Sequence, residues 1–286
     1  MSRCLHIVPN VDDIANGMAV VARLLAGEQG DAEVVDLVHG MHGIRGSDVE
    51  EVWVHGMWLP REWRACRAVL RSGKRLVRMT HGSLSPVYLT QQSPLKKKFV
   101  SPVERYFLRQ ADKVVATCEA EAEWIRAYER RVKGVEVTDI KRFFKLELRS
   151  LPDMREVRMP LHILYLGRRH PLKGLDSLMD ALGLLQGSLA YEFRVVGKAL
   201  GEEKERVWSW CDVLVLPTLS DNFGLVVAEA LEHGKRVITT DGAPAWGDGN
   251  TYGGRLVYLR GFRDGTPEAR IGLLKEALEK VAQGGW

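Results

Sequence analysis

Short apolar runs recur along the chain, each closed by a turn signal and most followed by a stretch with helical periodicity. Residues 4–9, 33–38, 52–55, 76–79, 112–117, 161–166, 191–197, 213–216 and 236–239 read as buried strands rich in Val, Ile and Leu. Residues 18–26, 119–130, 175–185, 224–233 and 267–282 read as amphipathic helices. Strand and helix alternate from end to end, which predicts an α/β chain built on parallel sheets. A mixed, charged stretch over 134–158 interrupts the alternation, with Phe143 and Phe144 as packing anchors, and sets a domain boundary near Met159 and Pro160.

The stretch from Asp212 to Asp241 is the most informative. A strand over 213–216 stops at Pro217, a polar loop follows, a short helix begins near Gly224 and ends at Gly234, and a new strand starts at Arg236. Asp221 lies at the mouth of the helix and Glu229 eight residues further on, beside the apolar stripe of Val226, Val227, Ala230 and Leu231. Two readings fit these acids. One is an N-capping Asp with a solvated helical Glu. The other is a ligand site, because free N–H groups at a helix start favour an anion and Gly224 permits close approach to the backbone.

An acid, Asn-Phe-Gly, a Glu at the eighth position, then Ala-Leu and a Gly before a β-branched strand resembles the paired-acid motif of the family 4 retaining glycosyltransferases. The resemblance implies that Glu229 binds the ribose of a nucleotide. It implies also that Asp221 and the stretch Asn222, Phe223, Gly224 and Leu225 meet the donor sugar. The family usually has Glu where this chain has Asp221. Upstream, Gly167-Arg168, four residues, then Lys173-Gly174 is similar to the family's pyrophosphate clamp. A departing nucleoside diphosphate gains negative charge; Arg168 suits phosphate oxygens bidentately and Lys173 supplies a point charge, each charge-assisted bond contributing roughly 1.5 to 3 kcal/mol.

In the first half, a strand leads through Asn16-Gly17 into a helix, and Gly17 is read either as a turn glycine or, by the resemblance, as lying beneath the donor phosphates. His55-Gly56-Met57-Trp58 closes one strand and Thr80-His81-Gly82 another, placing two imidazoles at strand C-terminal ends, where open α/β sheets bind ligands. An HG-x-W segment, a His-Gly and then a Lys cluster is similar to a family 4 subgroup associated with bacterial surface polysaccharides. By that resemblance His81 contacts the donor sugar, and His55 and Trp58 lie on the acceptor side. Lys96, Lys97, Lys98 and Arg105 interleave with Phe99, Tyr106 and Phe107, which fits either a solvated charged helix or contact with an anionic membrane.

Composition narrows this picture. The 286 residues are 45% hydrophobic, enough for two modest domains, and the four cysteines have neither metal-ligand nor redox spacing, which suits a reducing cytoplasm. No signal peptide or membrane span is expected, which suggests a cytoplasmic protein, and the resemblance implies contact with the inner face of the plasma membrane. The net charge of +4 divides unevenly, with 26 Lys and Arg against 21 Asp and Glu in residues 1–158 and 15 against 16 in the remainder. The excess is small and carries no nucleic-acid motif, so nucleic acid is not an expected partner.

The resemblance implies a GT-B architecture: two Rossmann-like domains facing a cleft, with 1–158 on the acceptor side, 159–266 binding a nucleotide sugar, and a helix in 267–286 packing back across the junction. The second domain is expected to be shortened, since a single helical stretch joins the strand ending at Gly197 to the one starting after Asp212. The implied reaction moves a sugar from a nucleotide-sugar donor to a hydroxyl of a glycan or lipid-linked glycan, with retention and without metal or other cofactor. A catalytically degenerate scaffold of the same fold, or a nucleotide-sugar epimerase, are the alternatives.

Overall fold

The computed structural model describes residues 3–12, 17–45, 48–146 and 159–284. The chain folds as two units, 1–140 and 141–286.

The first unit holds strands β1 (Arg3–Ile7), β2 (Ala32–Val35), β3 (Val49–His55), β4 (Arg75–Met79), β5 (Lys113–Ala116) and β6 (Val135–Val137). They form one parallel sheet in the order β2-β1-β3-β4-β5-β6. Between them run helices α1 (Gly17–Gln29), α2 (Leu37–Gly43), α3 (Pro60–Ser72), α4 (Pro86–Thr90), α5 (Ser101–Gln110) and α6 (Glu119–Tyr128), with a π turn over Lys96–Val100. Strand side chains such as Leu5, Val52, Val54, Leu76 and Val114 pack against Val69, Leu108 and Ile125 of the helices. The strand expected over 33–38 ends early. Asp36 breaks the apolar run, its carboxylate accepts from the His39 backbone N–H at 2.9 Å, and α2 begins there instead.

The second unit holds β7 (Leu161–Leu166), β8 (Tyr191–Val196), β9 (Val213–Leu216), β10 (Arg236–Thr240) and β11 (Leu256–Leu259), all parallel, in the order β11-β10-β9-β7-β8. Its helices are α7 (Leu175–Leu184), α8 (Gly201–Trp210), α9 (Leu225–Glu232) and α10 (Pro267–Ala282), with 3-10 turns over Pro171–Lys173 and Pro244–Trp246. As the spacing suggests, α8 alone joins β8 to β9. Leu274, Leu278 and Val281 of α10 share one apolar cluster with Leu178 and Leu182 of α7. Residues 141–146 belong to this unit: Phe144 stacks on Phe223 at 6.3 Å, and Arg255 donates to the Leu146 carbonyl at 3.3 Å. The sequence boundary at 158/159 therefore leaves those residues on the other side.

Both sheets share one winding. In each, the first strand of the unit lies between the second and third, so consecutive crossovers leave the sheet in opposite directions on either side of it. That switch point, at the carboxyl ends of β1 and β3 in one unit and of β7 and β9 in the other, is where such sheets bind ligands.

Candidate active site

Three of the four residues assigned to the pyrophosphate clamp and the paired acids, Arg168, Lys173 and Asp221, lie in the two loops at the switch point of the second unit. β7 runs into Gly167 and Arg168, and the following 3-10 turn is capped by His170, whose ring nitrogen accepts from the Leu172 N–H at 3.2 Å. The loop after β9 closes onto this turn. Leu219 N–H donates to the Leu172 carbonyl at 2.8 Å, and the Thr218 hydroxyl donates to the same oxygen at 3.0 Å. Gly174 makes the close packing possible. Its φ is +66°, and a Cβ there would lie 1.9 Å from the Pro217 carbonyl oxygen.

That docking brings Lys173 Nζ to 2.5 Å from Asp221 Oδ2. Asp221 is held from behind by its own N–H, which donates to the Gly242 carbonyl at 2.8 Å. Arg168 is exposed, and its guanidinium makes no ion pair among the described residues. At the start of α9, Gly224 takes φ +69°, and among the described residues the N–H groups of Phe223, Gly224 and Leu225 donate no hydrogen bond. The two loops at this switch point thus carry the exposed Arg168, the part-buried Lys173 paired with Asp221, and three N–H groups without an acceptor, features that suit an anion. Glu229 faces α8, where Lys204 Nζ lies 2.7 Å from its Oε1. Lys204 was not singled out in the sequence; the pair links residues 25 apart, and no local pattern marks it.

Phe223 is a core residue. It is 3% exposed and packs between Phe144 and Trp246, whose indole N–H donates to the Phe223 carbonyl at 2.5 Å. The Asn222 side-chain oxygen beside it is buried without a hydrogen-bond partner. So the stretch assigned to donor contact divides: the Phe223 ring anchors the loop, while the N–H groups of Phe223, Gly224 and Leu225 donate to nothing among the described residues.

In the first unit, His55 ends β3 and His81 stands in the turn after β4, with Gly17 as the exposed first residue of α1 across the switch point. Residues 13–16, including the Asn16 of the expected Asn-Gly turn, lie outside the described residues. His81 adopts the left-handed region at φ +50°, which costs a non-glycine residue on the order of 1 kcal/mol or more. The turn is held by Glu121, a fully buried carboxylate that sequence reading missed. One oxygen accepts from the Thr80 hydroxyl and the Gly82 N–H, both at 2.6 Å, and the other from the Thr117 N–H and hydroxyl at 2.8 and 2.9 Å. A Thr-x-x-x-Glu at the mouth of α6 was the signal available for it.

His55 has both ring nitrogens engaged, to His6 at 3.0 Å and His81 at 2.8 Å, and is fully buried, so no nitrogen of it is free for an acceptor hydroxyl. Trp58 is likewise packed away, 5% exposed, edge-on to Tyr128 and with its backbone N–H donating to Glu104. Lys96 lies 5.1 Å above the Trp58 ring and Arg105 4.1 Å above Tyr128. Lys97 and Lys98 are exposed beside Leu95 and Phe99, which are 69% and 62% exposed.

Burial pushes the His6 imidazole down to about 4 and His81 to about 3, and holds His55 well below its ordinary value. Between those values and the unfolded value near 6.5, the unfolded chain binds more protons than the folded one, so stability is lost as the pH falls through that window. Each histidine contributes a slope of up to about 1.4 kcal/mol per pH unit. Thermal unfolding is therefore expected at progressively lower temperature from pH 7 to pH 5, with a shallower slope in His81→Asn, which tolerates the left-handed backbone. Equal slopes in the two proteins would contradict this.

Two family models match the sequence: a glycosyl transferase 4-like domain over residues 52–138 and glycosyl transferases group 1 over residues 160–258. Each unit thus resembles a glycosyltransferase domain, and the two parallel-sheet units share the GT-B fold class. Solved structures share the fold of this chain across nearly its whole length. A sucrose-phosphate synthase from Thermosynechococcus elongatus aligns with TM-score 0.67 at 16% identity, covering 99% of this chain and 92% of that one. An alpha,alpha-trehalose-phosphate synthase (UDP-forming) from Burkholderia vietnamiensis aligns at 0.60 and 12%, covering 99% and 93%. The lipopolysaccharide outer core galactosyltransferase WaaB aligns at 0.59 and 14%, covering 99% and 90%. Among curated proteins, none matches the sequence. Among the described residues, no cluster of His, Cys, Asp and Glu forms a metal site, and no helix is long and apolar enough to cross a membrane.

Proposed function

We propose that this protein transfers a sugar from a nucleoside-diphosphate donor to a hydroxyl of a bacterial surface glycan or its lipid-linked precursor, with retention at the anomeric carbon. The observation that carries the reading is the junction of the β7 and β9 loops, where Arg168, Lys173 and the unpaired N–H groups of residues 223–225 gather. In this reading Arg168 and Lys173 hold the diphosphate, Glu229 the ribose and Asp221 the sugar.

The bond from the anomeric carbon to the diphosphate oxygen breaks as the bond to the acceptor oxygen forms on the same face. The acceptor proton passes to a phosphate oxygen of the departing nucleotide. Negative charge grows on that leaving group, and the two cations and the α9 start stabilise it more in the transition state than in the ground state. Supplied with these cations by the chain, the reaction is expected to proceed in EDTA.

The experiment is release of nucleoside diphosphate from a panel of nucleotide sugars, with and without glycan acceptors, and NMR of the product anomer. Acceptor-dependent release with retained configuration supports the reading. Conversion of the donor without an acceptor would replace it with epimerisation.

The exposed Lys97, Lys98, Leu95 and Phe99 favour peripheral contact with an anionic bilayer, each cation near the surface contributing about 1 kcal/mol. Replacing Lys96, Lys97 and Lys98 by Gln is expected to lower partitioning onto vesicles containing phosphatidylglycerol at least tenfold. Unchanged partitioning would remove the membrane from the proposal.

A further inference from the structure

Three imidazoles of the first unit stand in one hydrogen-bonded row whose inner end is an amide. His6 Nε2 lies 2.8 Å from Gln29 Oε1, His6 Nδ1 3.0 Å from His55 Nε2, and His55 Nδ1 2.8 Å from His81 Nε2. Four elements build the row: α1 ends at Gln29, β1 carries His6, β3 ends at His55, and the turn after β4 carries His81. The Trp53 ring stacks on His6 at 4.9 Å and keeps it in line. His6 and His55 are fully buried, so no water completes their bonds from outside.

A neutral imidazole has one N–H and one lone pair. Burial keeps all three rings neutral, so each bond in the row holds a single proton, and the choice at one end dictates every other. Gln29 Oε1 accepts, which places the His6 proton on Nε2. His6 Nδ1 then accepts from His55 Nε2–H, and His55 Nδ1 accepts from His81 Nε2–H. The lone pair left over is at Nδ1 of His81, which makes no hydrogen bond among the described residues.

We infer that Gln29, His6 and His55 are positioning residues that fix the tautomer of His81, leaving its Nδ1 as an acceptor for a sugar hydroxyl bound at the carboxyl edge of the first sheet. What His81 meets rests on the function proposed above; the relay itself does not. The device explains why two histidines with no free nitrogen are buried in the core. They carry the polarity of one amide at the end of α1 to the ligand edge of the sheet.

The test is a long-range 1H–15N correlation spectrum of the histidine-labelled, substrate-free protein at pH 7.5. The expected spectrum shows His6, His55 and His81 each neutral and protonated on Nε2. Gln29→Leu removes the fixed end, and His81 is expected to populate both tautomers; Gln29→Glu keeps an acceptor and the wild-type pattern. Protonation of His81 on Nδ1 in the wild type, the pattern of a row running from an amide donor, would overturn the inference. So would an unchanged His81 pattern in a folded Gln29→Leu protein. With an active donor, kcat/KM is expected to fall about tenfold in Gln29→Leu and to recover in Gln29→Glu; equal losses in both variants would reduce the row to a structural role. The resonances need no substrate, so a missing activity would count against the transferase reading alone.

Discussion

Alanine in place of Gly174 is expected to destabilise the second unit by about 3 kcal/mol or more. Two effects combine. The new Cβ would lie 1.9 Å from the Pro217 carbonyl oxygen and 3.0 Å from its carbon, and the residue sits at φ +66°, which costs an L side chain about 1 kcal/mol before any contact. Relief requires the β7 and β9 loops to separate, and that movement would carry Lys173 away from Asp221. The paired control is Gly183→Ala within α7, where a Cβ meets nothing within 4 Å; it should be neutral or gain up to about 1 kcal/mol from helix propensity. Urea midpoints of the two variants measure the difference. Similar midpoints would show that the loops are not locked together as described.

Removal of either Lys173 or Glu229 is expected to lower kcat/KM at least tenfold, about 1.4 kcal/mol of transition-state stabilisation. The two losses should differ in kind. In the proposed reaction Lys173 is assigned to the leaving diphosphate, on which charge grows, so Lys173→Ala should act mainly on kcat. Glu229 is assigned to the ribose, remote from the breaking bond, so Glu229→Ala should act mainly on the donor KM. The second variant also leaves Lys204, now 2.7 Å from Glu229, without its partner, and an added fall in stability of up to about 1 kcal/mol is expected at this half-exposed pair. Steady-state kinetics of the folded variants decides the matter, and wild-type parameters in both would dissolve the site assignment.

The second unit was more legible in sequence than the first, for reasons visible in particular residues. β7 and β9 are apolar runs closed by Gly167 and Pro217, α9 is bounded by Gly224 and Gly234, and the start of α10 is marked by Thr266, whose hydroxyl accepts from the Ala269 N–H at 3.3 Å. Such signals are local and survive without tertiary knowledge. β6 escaped because its three residues include an exposed Glu136, and α3 because Leu59 before it offers no side-chain cap. The site divides in the same way. Residue types at loop and helix starts could be named from spacing, whereas Lys204 on Glu229, Glu121 under the His81 turn, and Gln29 at the end of the histidine row join residues that are distant in sequence. Those partners exist only once the parallel crossovers place strand ends side by side. The His55 and Trp58 positions show the converse: a promising local motif was absorbed into the interior by its neighbours.

The central claim is that the second unit holds the nucleotide of a sugar donor. Its most direct test is the thermal unfolding of wild type and Glu229→Ala with UDP, GDP, ADP, CMP and dTDP and their common sugar conjugates, with and without EDTA. A ligand at a hundred times its dissociation constant stabilises a folded protein by about 2.7 kcal/mol, a shift well within reach of the method. The account predicts that one base class raises the unfolding temperature of the wild type, does so equally in EDTA, and loses most of the effect in Glu229→Ala. If no nucleotide shifts the transition, the shortened nucleotide unit does not hold a donor, and the chain is better understood as a transferase fold serving as a binding or scaffold protein.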